Sequence, residues 1–214
     1  MNKTINSLIY KGMPIDFTNR ENWVAIVGSR NATQEELNQA YYLAKRLVAA
    51  GKIVVSGLAK GIDTAAHQGA VDAGGKTIAI VNTPSLQAIY PKENRKLADD
   101  ILQCGGIIYP YKDAAKEMNA EEKGMSQFSK RLIERDLLLA ELCSVIVTVK
   151  DDASPITGGT KWAFNRGGEL SKRLFRMDTN QKFYEFPSYE KRKIYWDMEL
   201  NVEEIIQELY GVTC

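Results

Sequence analysis

At 214 residues, with 44% hydrophobic and 26% charged side chains, the chain is long enough for one sizeable core and has an ordinary globular composition. Its 28 basic and 27 acidic residues nearly cancel, which excludes a global field as the means of drawing in nucleic acid or membrane; a charged partner has to be recognised by local clustering. Cys104, Cys143 and Cys214 lack CxxC spacing and stand with a single histidine, His67, which excludes a standard zinc site and a disulfide framework. No run approaches a signal peptide or a membrane span, so a soluble, cytoplasmic protein without metal or cofactor is expected.

Residues 1–23 read as a lead-in segment, whose stretch SLIYKGMPIDFTNREN forms a strand or a loop. A domain over 24–190 follows, opening with a strand at Val24–Gly28 that is apolar on both faces. A helix comes next, over Gln34–Ala50. Thr33 and Glu36 have the N-cap and N3 spacing of a capping box, Leu37, Ala40, Leu43, Ala44, Leu47 and Val48 make one apolar stripe, and Gly51 stops the helix. The alternation continues with strand Ile53–Ser56, helix Ile62–Ala73, strand Thr77–Asn82, helix Lys92–Cys104 and strand Gly106–Tyr109. It then runs through helix Gln127–Cys143 and strand Val145–Val149; Cys143, inside LLLAELCSVIVTV, reads as a small buried thiol. Beyond lie a polar glycine-rich stretch, a helix over Lys161–Leu170, a hairpin of 174–177 with 182–186 around DTNQ, and a tail, 191–214, with a short helix at Val202–Tyr210. Short apolar strands alternating with amphipathic helices predict an α/β fold: a Rossmann-like, doubly wound, mostly parallel sheet with helices on both faces.

In such a sheet the ligand crevice lies at the carboxyl ends of the strands. Three loops fall on that edge. Gly28-Ser29-Arg30-Asn31 combines a tight turn with hydroxyl and amide groups and a fixed positive charge. Ser56-Gly57-Leu58-Ala59-Lys60-Gly61-Ile62-Asp63 brings two glycines beside Lys60, and Thr157-Gly158-Gly159-Thr160-Lys161 opens a helix whose N–H groups favour an anion. Any one of these is as readily a plain βα turn. Three on one edge, each with a neighbouring cation, predict a phosphate site built from Gly28, Ser29, Arg30, Ser56, Gly57, Lys60, Gly61, Gly158, Gly159, Thr160 and Lys161. Neither GxxxxGK[ST] nor GxGxxG occurs, which argues against a P-loop ATPase and a typical NAD site.

The helix that contains FSKRLIERDLLLAEL brings Lys130, Arg131 and Arg135 towards the same edge, with Arg131 and Arg135 on one face. Two readings stay open: the arginines reach the ligand, or Lys130 pairs with Glu134 while the arginines are solvated or pair with Asp136 or Glu141. His67, four residues after Asp63, is placed to hydrogen-bond it and fix the loop, a structural role and not a catalytic one. Trp162, Phe164, Tyr184, Phe186, Tyr195 and Trp196 offer stacking surfaces, although most are expected to fill the core or a dimer contact.

The runs VAIVGSR (24–30), VVSGLAKGIDTAAHQGAVDAGGKTIAIV (54–81) and YPKEN (90–94), with the lead-in LIYKG (8–12), resemble the DNA processing protein A (DprA, or Smf) family, over about 8–170. The resemblance implies an extended Rossmann-like fold that binds single-stranded DNA, forms a homodimer and hands the strand to a RecA-type recombinase. It implies phosphate contacts at Gly28, Ser29, Arg30, Ser56, Gly57, Lys60 and Gly61. The chain departs from the family where FPxRNRIIAGLS is expected, and where the SGSLxTA loop has become PITGGTKW, closer to the GGxGT loop of LOG phosphoribohydrolases. Those enzymes need a Glu shortly after that loop, which Lys161-Trp162-Ala163 does not supply, so nucleotide cleavage is disfavoured. A non-catalytic binder of single-stranded DNA is the leading expectation. A nucleotide sensor, and an antitoxin or phage-defence component with an operon-encoded partner, are the alternatives.

Overall fold

The computed structural model describes residues 8–83, 85–109 and 127–185, and the backbone of 198–200. Its strands are β1 (Ile9–Gly12), β2 (Trp23–Val27), β3 (Ile53–Ser56), β4 (Thr77–Ile80), β5 (Gly106–Tyr109), β6 (Val145–Val149), β7 (Arg173–Met177), β8 (Phe183–Glu185) and β9 (Met198–Leu200). The helices are α1 (Gln34–Ala49), α2 (Ile62–Asp72), α3 (Arg95–Cys104), α4 (Gln127–Leu142) and α5 (Thr160–Glu169). One sheet holds all the strands in the order β1-β5-β4-β3-β2-β6-β7-β8-β9. From β5 to β7 the strands run parallel, whereas β1, β8 and β9 join the two edges antiparallel. This is the Rossmann-like, doubly wound sheet that the sequence predicts.

The two-residue alternation of each buried strand divides the core. Val24, Ile26 and Val54 pack against Leu43, Leu47, Ile62 and Ala66 of α1 and α2. Trp23, Ala25, Val27 and Val55 face Leu138, Leu139, Leu142 and Phe164 of α4 and α5 on the other side. Ala79 and Ile107 meet Leu97, Ala98 and Ile101 of α3. Each Val, Leu, Ile or Phe among them contributes roughly 1.5–3 kcal/mol through burial, so the sheet is held by both layers. Cys143 is fully buried as expected, and burial pushes its thiol pKa up.

Local signals act where the sequence places them. Thr33 Oγ1 accepts from Glu36 N–H at 3.2 Å while Glu36 Oε2 accepts from Thr33 N–H at 2.8 Å, so the capping box is complete. Gly51 takes φ +74° just past α1. The hairpin forms with Phe175 opposite Glu185 and Met177 opposite Phe183. Most element ends fall within a residue or two of the sequence reading, and three placements go beyond it. The lead-in supplies β1 as an edge strand on β5. β4 stops at Ile80, and the helix expected from Lys92 begins as a 3₁₀ turn over Lys92–Asn94 before α3. The expected helix at 202–210, and Phe186, Tyr195, Trp196 and Cys214, lie outside the described residues.

The strand order reverses between β2 and β6: successive strands after β2 add on one side, and β6 and β7 on the other. At such a reversal the flanking loops diverge and leave a crevice. The loops that leave β2 and β6 therefore border any site.

Candidate nucleic-acid interface

A cleft of about 750 Å³ opens at that reversal. Gly28, Ser29 and Arg30 line it from the end of β2, Lys150, Asp152 and Ile156 from the loop after β6, and Thr157, Gly158, Gly159, Thr160 and Trp162 from the entry to α5. All three predicted loops thus reach one cleft, the second through Ala59 and Asp63. The Lys60 loop borders a smaller adjoining hollow of about 30 Å³, lined by Arg30, Gly57, Lys60, Tyr90 and Arg135 among others. Arg30 is exposed and common to both, so it joins them into one surface.

Arg30 and Lys60 stand in water at the rim, whereas Lys150 is half-buried. Lys60 reaches Glu93 at 3.2 Å, with both side chains more than half exposed, a pairing that solvent screens. Lys150 is bound to Asp152, and also donates to Ser154 Oγ at 2.6 Å. Aromatic surface flanks these charges: Trp162 is 40% exposed in the main cleft, and Tyr90, 48% exposed, lines the hollow and packs edge-on against Phe128 at 5.1 Å. Of the other predicted aromatics, Phe164 is core and Tyr184 lies under the Arg176 guanidinium at 4.0 Å.

Several predicted phosphate contacts prove to be framework. Ser56 is fully buried, and its hydroxyl donates to Ile26 O at 2.6 Å across the β2–β3 pair. The Gly57 amide donates to Asp63 Oδ2 at 3.2 Å, and the Ala59 amide to the same oxygen at 3.3 Å, so neither is available to a ligand. A Cβ on Gly57 would lie 1.2 Å from Arg135 Nη1; this glycine is the slot for a guanidinium. A Cβ on Gly61, at φ +79°, would lie 2.2 Å from Ser29 O, so that glycine lets the first two loops touch, where Ile62 N–H donates to Ser29 O. Lys161 is exposed but does not line the cleft.

Arg131 and Arg135 are each only 4% exposed, so neither stands at the rim, although Arg135 lines both hollows from below. Arg135 lies between two carboxylates, 2.8 Å from Asp136 Oδ1 and 3.6 Å from Asp63 Oδ2. Its Nε–H does not point at the Asp136 oxygen, so that contact is an ion pair without a hydrogen bond. This is the carboxylate-paired reading of Arg135, whereas Glu141 pairs with Arg166 at 2.7 Å instead. Burial pushes the Asp63 carboxyl above its usual range, against the pull of Arg135 and the two amides. Burial likewise raises Asp136, to about 6, although Arg135 and Arg30 favour its charged form.

His67 does not bond Asp63. Its Nδ1 meets Thr77 Oγ1 at 2.8 Å, and Thr77 Oγ1 in turn donates to Val54 O at 2.8 Å, which fixes α2 to the sheet. Burial holds the ring neutral, with its pKa pushed down to about 3. Three groups line the cleft in roles that the sequence did not suggest: Asp136 on its floor, named above only as a partner for the arginines, Lys150 on its wall, and Glu36, named only for the capping box, whose Oε1 accepts from Asp151 N–H at 3.0 Å and ties α1 to the loop after β6. The Arg-Asp dipeptide directly before the apolar run LLLA (137–140) was the available signal for the first. No helix among the described residues is long and apolar enough to cross a membrane.

Comparison with known proteins places this arrangement. The model of the family described as DNA recombination-mediator protein A matches residues 1–183. DNA processing protein DprA of Streptococcus pneumoniae is 46% identical over 78 residues, covering 36% of this chain and 27% of that protein. Protein Smf of Synechocystis is 39% identical over 93 residues, covering 44% of this chain and 23% of that protein. The matched stretches thus span only about a quarter of those relatives' length. Among solved structures, S. pneumoniae DprA superposes with a TM-score of 0.62 at 28% identity, over 79% of this chain and 54% of that one. DNA processing protein A of Helicobacter pylori, solved to show its mode of binding single-stranded DNA, superposes with a TM-score of 0.69 at 23% identity, over 95% of this chain and 86% of that one. With a family model matched along most of its length and this sheet beneath it, the chain belongs to the DNA recombination-mediator protein A family.

Proposed function

We propose that the protein binds single-stranded DNA along the surface that runs from Tyr90 and Lys60 through Arg30 to Trp162, and acts in DNA processing by binding and not by turnover. The observation that carries this is the alternation of exposed cations and exposed aromatic rings around one cleft. Cations follow a phosphodiester backbone, and rings stack bases without regard to sequence. The Helicobacter pylori relative's single-stranded DNA binding mode supports the same ligand here. Binding without catalysis accords with His67, buried against Thr77, and with the Asp63 and Asp136 carboxylates, held by Arg135. Pairing of two copies, cytoplasmic residence and hand-over to a RecA-type recombinase follow from the family and belong to this proposal.

The test is anisotropy of a labelled oligonucleotide across a salt series. Affinity should fall with a log–log slope of about −0.7 per phosphate contacted. Arg30→Ala and Lys60→Ala should each weaken binding and make the slope shallower by about one contact, while Glu93→Gln, which releases Lys60, should tighten it. Binding that ignores salt, or survives both substitutions unchanged, overturns the reading.

A further inference from the structure

The floor of the cleft has the opposite character to its rim. Asp136 lines it with a side chain only 10% exposed, one oxygen engaged by Arg135 at 2.8 Å. The other, Oδ2, has no hydrogen bond or ion pair among the described residues. It lies beneath the turn before α5, where a Cβ on Gly159 would come within 3.1 Å of it. Asp63 contributes a second carboxylate nearby, and Ile156, Leu132 and Ala163 supply apolar walls. A phosphate driven onto this floor meets two carboxylates and the Arg135 guanidinium that already serves both, while Arg30 acts on Asp136 from the loop after β2. A flat base with a hydrogen-bond donor on its edge meets apolar walls and an acceptor that no described residue engages. The cleft volume, about 750 Å³, is within the range of small-ligand sites, roughly 300–1,000 Å³, and accommodates one splayed-out base.

We propose that Asp136 is a specificity-determining residue: its Oδ2 accepts from the exocyclic amino group of a base inserted into the cleft, so that cytosine is preferred over thymine or uracil. This rests on the reading of the cleft as a DNA site. A carboxylate only accepts, and cytosine N4–H₂ donates where thymine and uracil present the O4 acceptor. The rim binds any strand through its backbone; the floor discriminates among the bases.

The experiment compares dC, dU and dT homopolymers of equal length on the full chain at neutral pH, in wild type, Asp136→Asn and Arg30→Ala. The two uracil-type bases separate the amino group from the thymine methyl, and all three have single pyrimidine rings. Wild type should favour dC over both others by about tenfold in Kd, the effect of one hydrogen bond to a charged group. In Asp136→Asn the Arg135 guanidinium turns the amide oxygen towards itself and leaves Nδ2 facing the cleft, which donates to O4, so the preference should level or invert. Salt-dependent binding that weakens in Arg30→Ala but ranks the three homopolymers equally in wild type overturns this inference and leaves the DNA reading intact. An unchanged dC preference in a folded Asp136→Asn protein does the same. Binding insensitive to both salt and Arg30→Ala overturns both.

Discussion

Gly57→Ala tests whether Arg135 is the keystone beneath the cleft. The added methyl would lie 1.2 Å from Arg135 Nη1, 2.2 Å from Cζ and 2.9 Å from Asp63 Oδ2. Ordinary contact starts near 3.4 Å, so the guanidinium must retreat by about 2 Å, out of the gap between Asp63 and Asp136. Breaking a buried charge pair by displacing one partner costs about 3–5 kcal/mol, because the other charge is left uncompensated. Set against a total of roughly 5–15 kcal/mol for a folded domain, that is a large share. The loss should depend on pH, since the groups left behind are carboxylates with pKa values raised in the fold. Urea denaturation followed by circular dichroism at about pH 7.5 and pH 5 measures it: a loss of about 3 kcal/mol at the higher pH, and a smaller one at the lower. Gly51→Ala is the control, with φ +74° and nothing within 4 Å of the new methyl. Its backbone strain alone should destabilise by about 1 kcal/mol at either pH. A Gly57→Ala loss equal to the control's, and equally indifferent to pH, refutes the reasoning.

His67 should make the fold acid-labile. Its folded pKa is pushed down to about 3 from 6.5, so the unfolded chain takes up a proton that the fold refuses; its contribution is intact above about pH 6.5 and is lost by about 1.4 kcal/mol per unit as pH falls below it. Asp136 has the opposite sign: its folded pKa, about 6 against 3.8 unfolded, means that the fold binds a proton first and is stabilised as pH drops through that window. Around it lie Arg135 on its own helix, Asp63 on α2, Arg30 in the loop after β2, and Glu36, Lys150 and Asp152 elsewhere on the cleft wall. Asp136→Asn should therefore steepen the loss of stability between about pH 6 and pH 4 in denaturant titrations, and an unchanged profile would refute the assigned shift. Thr33→Ala removes the hydroxyl half of the α1 capping box and should lower stability by about 1 kcal/mol in urea titrations. Trp162→Ala should weaken oligonucleotide binding by about 1–3 kcal/mol in anisotropy without changing the salt slope, since stacking releases no counterions.

Elements with a strong period were plain in the sequence. The apolar runs of β2, β3 and β6 allow no solvated face, and the Thr33–Glu36 spacing and Gly51 bracket α1 by chemistry local to those residues. The edge placement of β1 was not legible, because IYKG pairs with β5 across some ninety-five residues of intervening chain and its own pattern is half exposed. His67 failed for a related reason. An i,i+4 spacing puts it within reach of Asp63, but the sheet brings Thr77 to the ring first, and Asp63 turns to the amides of its own loop.

The site was legible at its edge and not in its depth. That three loops converge follows from topology, which the alternation of elements dictates, and exposed Arg30 and Lys60 fall where the loops end. Glycine is the ambiguous letter. A missing Cβ means room, and sequence does not say for what: at Gly57 the room holds a guanidinium, at Gly61 the carbonyl of Ser29, at Gly28 the side chain of Ile62. A motif read as bare amides awaiting phosphate is therefore, in good part, the joinery that brings the first two loops into contact with each other and with α4. The buried charges follow from the same contact. Once Gly57 admits Arg135, its positive charge offsets two carboxylates under the cleft, and those carboxylates make the floor a place for a base and leave the phosphates to the rim.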